Sequence, residues 1–388
     1  MKQGWEIKKL GEVCESDLGK TLNQSKDKGE LRPYLCAINV LWDKFDFTTL
    51  KETRFEDSEL ERYSVKKGDL LICEGGDIGR AAIWNYDEVI QYQNALHRVR
   101  LDKSVLSRFL LLYLKHLKDS GVLDTRYGKG VTIKHLVKSS LLSIPIPVPP
   151  IEEQERIVEE LNCLNGVIEK KREQLKELDA LAESIFYTMF GDPITNEKGW
   201  EVKKLGEVCD IINGFAFKSN LFKKEGDAIL RISNIQNGYV DLTDAAYFDK
   251  SDYGKINFEK YAVKPYDIVI ALSGATTGKL GINTTGKDLY LNQRVAICRE
   301  KTNAITRLFL LYYLHDQSLK FLEDAAGVAQ PNLSTEQMKE YVICIPPLAL
   351  QQEFADKIEA IEKQKELIKK SIEETEILFN SRMDYYFN

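Results

Sequence analysis

Residues 4–15 read GWEIKKLGEVCE and residues 199–210 read GWEVKKLGEVCD, so ten of the twelve positions are identical. The two stretches lie 195 residues apart in a chain of 388 residues. The match continues downstream, where YSVKKGDLLIC at residues 63–73 resembles YAVKPYDIVIA at residues 261–271. A repeat on this scale indicates two copies of one fold within the chain.

A proline-rich stretch and a long charged segment close each copy. SIPIPVPP at residues 143–150 and ICIPP at residues 343–347 each precede about 40 residues that contain no proline. Apolar residues then recur at alternating steps of four and three, which is the heptad spacing of a coiled coil. The first seam is Ile157, Leu161, Leu164, Ile168, Lys171, Leu175, Leu178, Ala182, Ile185 and Met189. Adding 197 gives the second: Phe354, Ile358, Ile361, Lys365, Ile368, Ile372, Thr375, Phe379, Arg382 and Tyr386.

Each seam needs an apolar partner, and the nearest candidate is the other helix. Because each helix follows its own globular copy, the repeat predicts that the two pair antiparallel as a coiled coil with pseudo-twofold symmetry. The alternative is a pair of charged, solvated surface helices. The predicted segments are a globular copy at residues 1–150, a helix at 151–190, a second copy at 191–347 and a second helix at 348–388.

Short apolar runs between glycine-containing turns predict strands inside each copy. The fragment SRFLLLYLKH at residues 107–116 matches TRLFLLYYLH at residues 306–315. These fragments predict helices near residues 107–118 and 306–321, with Leu111, Leu112 and Leu114 buried. The predicted fold class is therefore α+β, with two repeated domains of small mixed β-sheets joined by two long helices.

Charge is distributed unevenly along the chain. Lys and Arg total 54 against 60 Asp and Glu, a net charge of -6, which argues against a protein that coats nucleic acid indiscriminately. The two globular copies carry +3 and -1, whereas the two helices carry -5 and -3. Any nucleic-acid surface is therefore expected to be local and to lie on the globular copies.

The seven cysteines are widely spaced and include no CxxC pair, which disfavours a disulfide framework and a zinc site. The four histidines show no metal-ligand spacing. The first residues lack the apolar core of a secretion signal, and the longest apolar runs are far shorter than a membrane span. We therefore expect reduced thiols, no metal, no membrane partner and a cytoplasmic location.

SGATTGKL at residues 273–280 is the stretch most similar to a phosphate-binding loop. It lacks the first glycine and the final Ser or Thr of that motif, so nucleotide hydrolysis is disfavoured. Its counterpart GGDIGR at residues 75–80 shows that the shared content is a glycine-rich hairpin ending in a cation. Gly76, Arg80 and Lys279 are therefore candidate DNA contacts, with a plain β-turn as the alternative.

LHRVRL at residues 96–101 places Arg98 and Arg100 on one face of a strand. Two arginines with one orientation can grip phosphates or bind guanine bidentately. The second copy offers Arg294 and Arg299 in NQRVAICRE. Exposed, solvated strand arginines are the alternative reading.

A polar loop precedes each proline stretch and differs between the copies. GKGVTIKHL at residues 128–136 carries Lys129, Lys134 and His135, and GVAQPNLS at residues 327–334 carries Gln330 and Asn332. Gln and Asn bind adenine bidentately. Different side chains on a shared framework predict two readers of two sequences, with ordinary loop variation as the alternative. The remaining candidate DNA contacts are Lys20, Asn39, Lys218 and Asn234.

A catalytic centre is not apparent. The sequence has no GxSxG elbow, no Cys/His pair of recognisable spacing and no [DN]PP[YF] motif for amino-methyl transfer. A non-catalytic role is therefore expected.

The organisation resembles the specificity subunit of type I restriction-modification systems over the whole chain. The most specific pieces are the repeated opening motif, IINGFAFKS at residues 211–219, PPIEEQ at 149–154 and SIFYTMFGDP at 184–193. The second helix departs from the pattern, because PPLALQQ at residues 346–352 lacks the acidic residue before its first Gln.

The resemblance implies that each copy is a target-recognition domain that reads one half of a bipartite, asymmetric site on double-stranded DNA. It implies that the helices form a spacer, with Ile157, Leu161, Leu164, Ile168, Leu175, Leu178, Ile358, Ile361, Ile368 and Ile372 at the coiled coil and subunit-docking surface. The implied partners are two modification subunits, which use S-adenosylmethionine to methylate adenine, and two restriction subunits that use ATP and Mg. The chain itself would need no cofactor.

A coiled-coil scaffold with two protein-binding domains is the rival hypothesis, and a stand-alone enzyme is a third. The divergence of paired loops on a shared framework favours the reading of two DNA targets over the scaffold.

Overall fold

The computed structural model describes residues 4–23, 25, 27–131, 134–236, 238–325 and 333–388. The chain forms two compact units. Unit 1 comprises Met1–Arg172 and Lys369–Asn388, and unit 2 comprises Glu173–Ile368. Each unit thus contains one sequence copy together with segments from both long helices.

The described residues of unit 1 form three sheets in addition to a short hairpin at residues 40–45. Strands β1 and β12 pair antiparallel, a mixed sheet has the order β6-β3-β10-β7, and an antiparallel sheet has the order β2-β11-β8-β9. The strands are β1 (Glu6–Lys9), β2 (Cys14–Leu18), β3 (Glu30–Leu35), β4 (Val40–Leu41), β5 (Lys44–Phe45), β6 (Lys51–Phe55), β7 (Ser64–Val65), β8 (Leu70–Cys73), β9 (Ala81–Ile83), β10 (Ile90–Tyr92), β11 (Leu96–Leu101) and β12 (Pro145–Val148).

The described residues of unit 1 also form helices. They are α1 (Asp57–Leu60), α2 (Ser107–Asp119), α3 (Lys138–Leu142) and the first part of α4 (Ile151–Phe190), with a π-helical turn at Leu123–Tyr127. Helix α2 confirms the prediction for residues 107–118, and Leu111, Leu112 and Leu114 are buried as expected. Strand β8 is buried at all four positions, so it lies at the centre of the unit.

Unit 2 repeats this arrangement. Strands β13 and β23 pair antiparallel, a mixed sheet has the order β17-β15-β21-β18, and the sheet β14-β22-β19-β20-β16 gains a fifth strand. The strands are β13 (Glu201–Lys204), β14 (Cys209–Asn213), β15 (Asp227–Leu230), β16 (Gly238–Tyr239), β17 (Ala246–Phe248), β18 (Ala262–Val263), β19 (Ile268–Ala271), β20 (Leu280–Ile282), β21 (Leu289–Leu291), β22 (Val295–Glu300) and β23 (Val342–Ile345). The small mixed sheets and the α+β class are as predicted.

Unit 2 has more helices than the sequence pattern predicts. They are α5 (Leu205–Val208), α6 (Arg307–Asp316), α7 (Ser318–Ala325), α8 (Thr335–Glu340) and α9 (Leu348–Phe387). The single helix expected at residues 306–321 is divided at Gln317. The break brings the Ser318 carbonyl close to Gly278, where a Cβ atom would lie 2.7 Å from that oxygen.

Helices α4 and α9 have 40 residues each. Every position of the two predicted seams is buried or half-buried, and Lys171 and Lys365 are among the half-buried ones. The heptad pattern is therefore confirmed as the pattern of burial. Helix α4 ends at Phe190, and Gly191 follows with a φ of 75°, which stops the helix.

Helix α4 and helix α9 contact each other within each unit. In unit 1, Glu160 pairs with Arg382, and the Lys171 ammonium lies 3.3 Å from the Ser371 carbonyl. In unit 2, Asp179 pairs with Lys365 at 2.7 Å, and the rings of Phe186 and Phe354 are 5.7 Å apart. In both units, later residues of α4 meet earlier residues of α9, so the contacting segments are antiparallel.

All seven cysteines are free, and five of them are buried. Burial raises the pKa of the Cys73 thiol to about 11 and that of Cys298 to about 12. Buried thiols with raised pKa values are poor nucleophiles.

Candidate nucleic-acid interface

The glycine-rich hairpin at residues 75–80 connects β8 to β9 in unit 1. The Cys73 amide donates to the Arg80 carbonyl at 2.8 Å, which closes the hairpin. Gly76 is exposed with a φ of 72°, a conformation that favours glycine. Arg80 donates through Nη2 to the Ala37 carbonyl at 2.7 Å. The cation predicted to contact DNA is thus half-buried and held at the base of the hairpin.

The described residues of the 128–136 loop lie against this hairpin. Lys129 and His135 exchange two backbone hydrogen bonds of 2.9 and 2.8 Å, and the Leu136 amide donates to the Glu74 carbonyl at 2.7 Å. A Cβ atom on Gly75 would lie 3.3 Å from the His135 ring. The structure therefore brings together two regions that the sequence analysis selected separately. Lys129 and His135 are exposed, and Lys134 is half-buried.

His97 supports this loop from the core of unit 1. It is 0% exposed, and its Nε2 lies 2.7 Å from the Leu136 carbonyl. Because a carbonyl can only accept, Nε2 carries the hydrogen and donates it. Burial holds the pKa of His97 below its usual value. The neutral ring thus fixes the end of the loop to β11.

The negative charge of Asp77 in the hairpin is partly neutralised by Lys118 of α2. Lys118 pairs with Asp77 at 2.8 Å and with Asp124 at 2.9 Å. Burial opposes the charge of Lys118, but these two carboxylates outweigh it and raise its pKa. Lys118 therefore offsets the acidic side chain of the hairpin tip, and the neighbouring loop carries the exposed cation Lys129.

Unit 2 has the equivalent hairpin at residues 273–279. The Ala271 amide donates to the Lys279 carbonyl at 2.9 Å, and the Leu333 amide donates to the Leu272 carbonyl at 2.8 Å. Lys279 leads directly into β20, whereas a phosphate-binding P-loop precedes a helix. This topology supports the exclusion of a nucleotide-hydrolysing loop. The Lys279 ammonium lies 3.5 Å from the Gln236 side-chain oxygen.

The other predicted contacts of unit 2 are distributed as follows. Arg294 and Lys218 are exposed, and the Arg294 carbonyl accepts from the Leu272 amide at the base of the hairpin. Arg294 therefore adjoins the hairpin, and its contact with DNA stays a prediction. Gln330 and Asn332 lie outside the described residues, so their predicted role as adenine readers stays a prediction.

Arg98 does not face solvent, which argues against the prediction that it contacts DNA. It is 8% exposed and donates to the carbonyls of Ser64 and Arg62 at 2.7 and 3.1 Å, and to Asp17 at 3.2 Å. These bonds join β11 to β7 and β2. Its position on a strand face was read correctly, but the face is covered by another sheet.

Arg100 forms a bidentate pair with Asp69, with both bonds at 2.7 Å. Hydrogen bonding to Asp69 raises the pKa of Arg100. In unit 2, Arg299 makes the same pair with Asp267. Asp69 and Asp267 are 2% and 4% exposed. The pairs have a structural role, and DNA contact by Arg100 stays an untested prediction.

Lys20 is also buried, contrary to a DNA-contacting role. It is 5% exposed, pairs with Glu59 at 2.6 Å and donates to the Arg54 carbonyl at 2.8 Å. Burial opposes its charge, but Glu59 and Asp27 outweigh this effect and raise its pKa. Lys20 thus ties β6 and α1 to the segment that follows β2.

Asn39 and Asn234 are 0% and 2% exposed, which argues against the predicted contact of their side chains with DNA. Each closes a loop of the same length. Asn39 donates to the Asp46 carbonyl at 3.0 Å, and Asn234 donates to the Asp241 carbonyl at 3.1 Å. The match between the two asparagines in the repeat therefore marks a structural support.

Sequence reasoning missed the side chains that attach the long helices. Gln154 and Gln351 are both 0% exposed. Gln154 accepts from the Leu106 amide and donates to the carbonyls of Ser104 and Pro149, and Gln351 makes the equivalent three bonds in unit 2. Their equal spacing after the paired prolines was the signal. The repeat alignment likewise pairs Asp69 with Asp267.

The predicted coiled-coil positions follow the expected burial. Ile157, Leu161, Ile168, Ile358 and Ile361 are at most 6% exposed, and the remaining five positions are half-buried. The half-buried positions are Leu164, Leu175, Leu178, Ile368 and Ile372. Their role in docking another subunit stays a prediction.

Neither a metal-binding cluster nor a membrane-spanning helix is present among the residues that the structure describes. No group of three or more His, Cys, Asp or Glu side chains is placed to hold a metal ion there. None of the helices in that part of the chain is both long and apolar enough to cross a membrane.

Comparison with known proteins gives one consistent family. The type I restriction modification DNA specificity domain matches residues 2–180 and again residues 197–376. The MjaVIII specificity subunit of Methanocaldococcus jannaschii is 24% identical, with 96% of this chain and 90% of that protein covered. The EcoKI specificity subunit of Escherichia coli K12 is 19% identical, with 96% and 85% covered.

Two solved structures share the fold. One comes from a study of complex assembly and conformational transition of the type I R-M system, with a TM-score of 0.64, 19% identity and 100% of this chain and 98% of that chain covered. The other is the type I restriction-modification S subunit from M. genitalium, with a TM-score of 0.55, 15% identity and 98% and 95% covered. With two family matches that together span most of its length, this chain belongs to the type I restriction-modification DNA specificity family, and it is a specificity subunit.

Proposed function

We propose that unit 1 and unit 2 each read one half of a bipartite, asymmetric site on double-stranded DNA. One observation carries this proposal: the two units share a hairpin, a buried Asn support and a buried Asp–Arg pair, but they differ in the side chains of their loops. A common framework with different exposed side chains fits two readers of different sequences. The cations Lys129 and Lys134 in unit 1 and Lys279 and Arg294 in unit 2 supply phosphate contacts.

The two long helices form one continuous antiparallel coiled coil that sets the distance between the half-sites. Support comes from the antiparallel contacts inside each unit and from the burial of both heptad seams. Forty helical residues span about 60 Å at 1.5 Å per residue. That length exceeds the ~34 Å of one DNA turn, which separates readers on one face of the duplex.

Two methyltransferase subunits dock on the helix pair, and restriction subunits join through that assembly. The chemistry belongs to these partners, which bind S-adenosylmethionine, ATP and Mg, and this chain contributes no catalytic group. The complex acts in the cytoplasm. The two helices carry a net charge of -8 and the two globular copies carry +2, which gives the chain its net charge of -6. The chain therefore depends on cationic partners for much of its DNA affinity.

Selection of bound duplexes from a random library tests the function. The full-length chain, assembled with its methyltransferase partner, is expected to enrich a bipartite asymmetric site. The triple variant Lys129→Ala, Lys134→Ala, His135→Ala is expected to alter one half of that site and to leave the other unchanged. Lys67→Ala is the control, because Lys67 is an exposed cation of unit 1 that pairs with Asp87. An assembly without any sequence preference would support the scaffold hypothesis instead.

A further inference from the structure

The turn that Asn39 supports carries an exposed aliphatic side chain. Ile38 is 52% exposed, whereas its neighbours Cys36 and Asn39 are 7% and 0% exposed. The Cys36 amide donates to Asn39 Oδ1 at 3.0 Å, and the Asn39 amide donates to the Cys36 carbonyl at 2.9 Å. Two hydrogen bonds across three residues hold this turn in one conformation, so Ile38 is presented to solvent by a rigid support.

This turn adjoins the candidate interface of unit 1. The Ala37 carbonyl, one residue before Ile38, accepts the bond from Arg80 at the base of the hairpin. The same hairpin lies against His135 of the 128–136 loop. The turn and the loop therefore both contact the hairpin, which links the exposed aliphatic side chain of Ile38 to the region that carries the exposed cation Lys129.

Unit 2 has the same turn with a different tip. The Arg231 amide donates to Asn234 Oδ1 at 3.1 Å, which repeats the bond between Cys36 and Asn39. Ser233 is exposed at the place that Ile38 occupies in unit 1. Gln236, two residues after Asn234, contacts Lys279 of the hairpin. The Asn support is kept between the units, but the cation of the hairpin binds the Ala37 carbonyl in unit 1 and the Gln236 side chain in unit 2, and the exposed side chain of the turn also changes.

We propose that Ile38 is a specificity-determining residue of unit 1 and that it packs against the C5 methyl group of a thymine in the first half-site. The inference rests on the proposed DNA-reading function. An aliphatic side chain cannot hydrogen-bond to a base edge, and the thymine methyl is the apolar feature that the major groove presents. Ser233 occupies the equivalent place for the second half-site, where a hydroxyl serves a hydrogen-bonding base edge.

Replacement of each thymine by deoxyuridine tests this contact, because deoxyuridine lacks only the methyl group. The full-length chain with its methyltransferase partner is measured on the selected site, one thymine at a time. Burial of one methyl group predicts a loss of affinity of about fourfold at one thymine of the first half-site. The Ile38→Ser variant is expected to bind less tightly and to be insensitive to that replacement.

Leu31→Ser is the matched control, since Leu31 is an aliphatic residue of β3 that is 57% exposed in the same unit. It is expected to retain the sensitivity of the unsubstituted chain. Affinity for the second half-site reports whether the Ile38→Ser chain is folded. Equal sensitivity of Ile38→Ser and the unsubstituted chain, or a first half-site without a methyl-dependent thymine, would overturn the proposal. An unsubstituted complex without preference in either half-site would overturn the proposed function itself.

Discussion

The position that follows a shared glycine shows how the two units differ. Gly19 in unit 1 precedes Lys20, and Gly214 in unit 2 precedes Phe215. The Lys20 amide donates to the Tyr92 carbonyl at 3.0 Å, and the Phe215 amide donates to the Leu291 carbonyl at 2.8 Å. The backbone course is therefore the same in both units.

The side chains at this position enter different surroundings. Lys20 pairs with Glu59 and lies 3.5 Å from Asp27. Phe215 lies 5.0 to 5.7 Å, centroid to centroid, from four aromatic rings, which belong to Phe217, Tyr253, Phe258 and Tyr261. One interior is ionic and the other aromatic. Backbone hydrogen bonds and a shared glycine therefore define the common frame of the two units, whereas the side chains that pack inside this frame differ between them.

A Phe215→Lys substitution is expected to have the largest effect on stability. It places an ammonium group among aromatic rings without the carboxylates that surround Lys20. Phe215 is half-buried, so an unpaired charge there is expected to lower the free energy of unfolding by about 3 kcal/mol. Urea unfolding measures the loss, and hydrogen exchange in β14 and β21 assigns it to unit 2. The control Phe215→Leu is expected to cost about 1 kcal/mol; equal losses would contradict the account.

The buried glutamines that attach the long helices, Gln154 and Gln351, are expected to contribute equally to the two units, because they make equivalent hydrogen bonds. Gln154→Leu and Gln351→Leu each leave one amide and two carbonyls without their partner, so each is expected to cost about 3 kcal/mol. Urea unfolding should show similar losses for the two. Gln352→Leu is the control, since Gln352 is exposed and next to Gln351. A large loss in one unit alone would show that the anchors are not equivalent.

The buried carboxylates test the shared frame further. Asp69→Asn and Asp267→Asn weaken the bidentate pairs with Arg100 and Arg299, and each is expected to cost about 2 kcal/mol. The exposed pair of Lys67 with Asp87 provides the control, because Asp87→Asn should change stability by less than about 1 kcal/mol. Similar urea midpoints for Asp69→Asn and Asp87→Asn would refute a structural role for the buried pair.

The smallest expected effect depends on pH and concerns unit 1. Burial lowers the pKa of His97 in the folded state, so the unfolded chain binds the extra proton. The contribution of the neutral His97 ring to the free energy of unfolding is fully present above the pKa of this group in the unfolded chain, which is near 6.5. It decreases as the pH falls below that value. The loss between pH 7.5 and 5.5 is at most about 1.4 kcal/mol.

The His97→Ala variant isolates this effect, since Ala296 occupies the matching strand position in unit 2. Its urea midpoint is expected to vary less between pH 7.5 and 5.5 than that of the unsubstituted chain. The comparison concerns the slope, so a lower starting stability of the variant does not obscure it. An unchanged slope would mean that other groups carry the pH dependence.

The repeat, the two long helices and their seams could be predicted from the sequence, because they depend on local spacing. Every heptad position from Ile157 to Met189 is buried or half-buried as expected. Ten identities in twelve residues were enough to establish the duplication.

The buried polar side chains could not be predicted in the same way. Arg98, Lys20 and Asn39 carry groups that also bind DNA, and the sequence does not show which partner they meet. Arg98 is bound to Asp17, which is 81 residues away. Such contacts depend on how sheets and loops pack against each other, which the short-range spacing of residues in the sequence does not determine. The repeat did contain a partial signal, since the matching of Asp69 with Asp267 accompanies that of Arg100 with Arg299.

The central claim is that the two units are separate readers on one frame. A chimaera tests it most directly, with residues 4–150 replaced by a second copy of residues 199–347 and the rest of the chain kept. Assembled with its methyltransferase partner and offered a random duplex library, it is expected to select a site with two identical half-sites, both matching the half read by unit 2. Selection of the original asymmetric site by the folded chimaera would contradict the account.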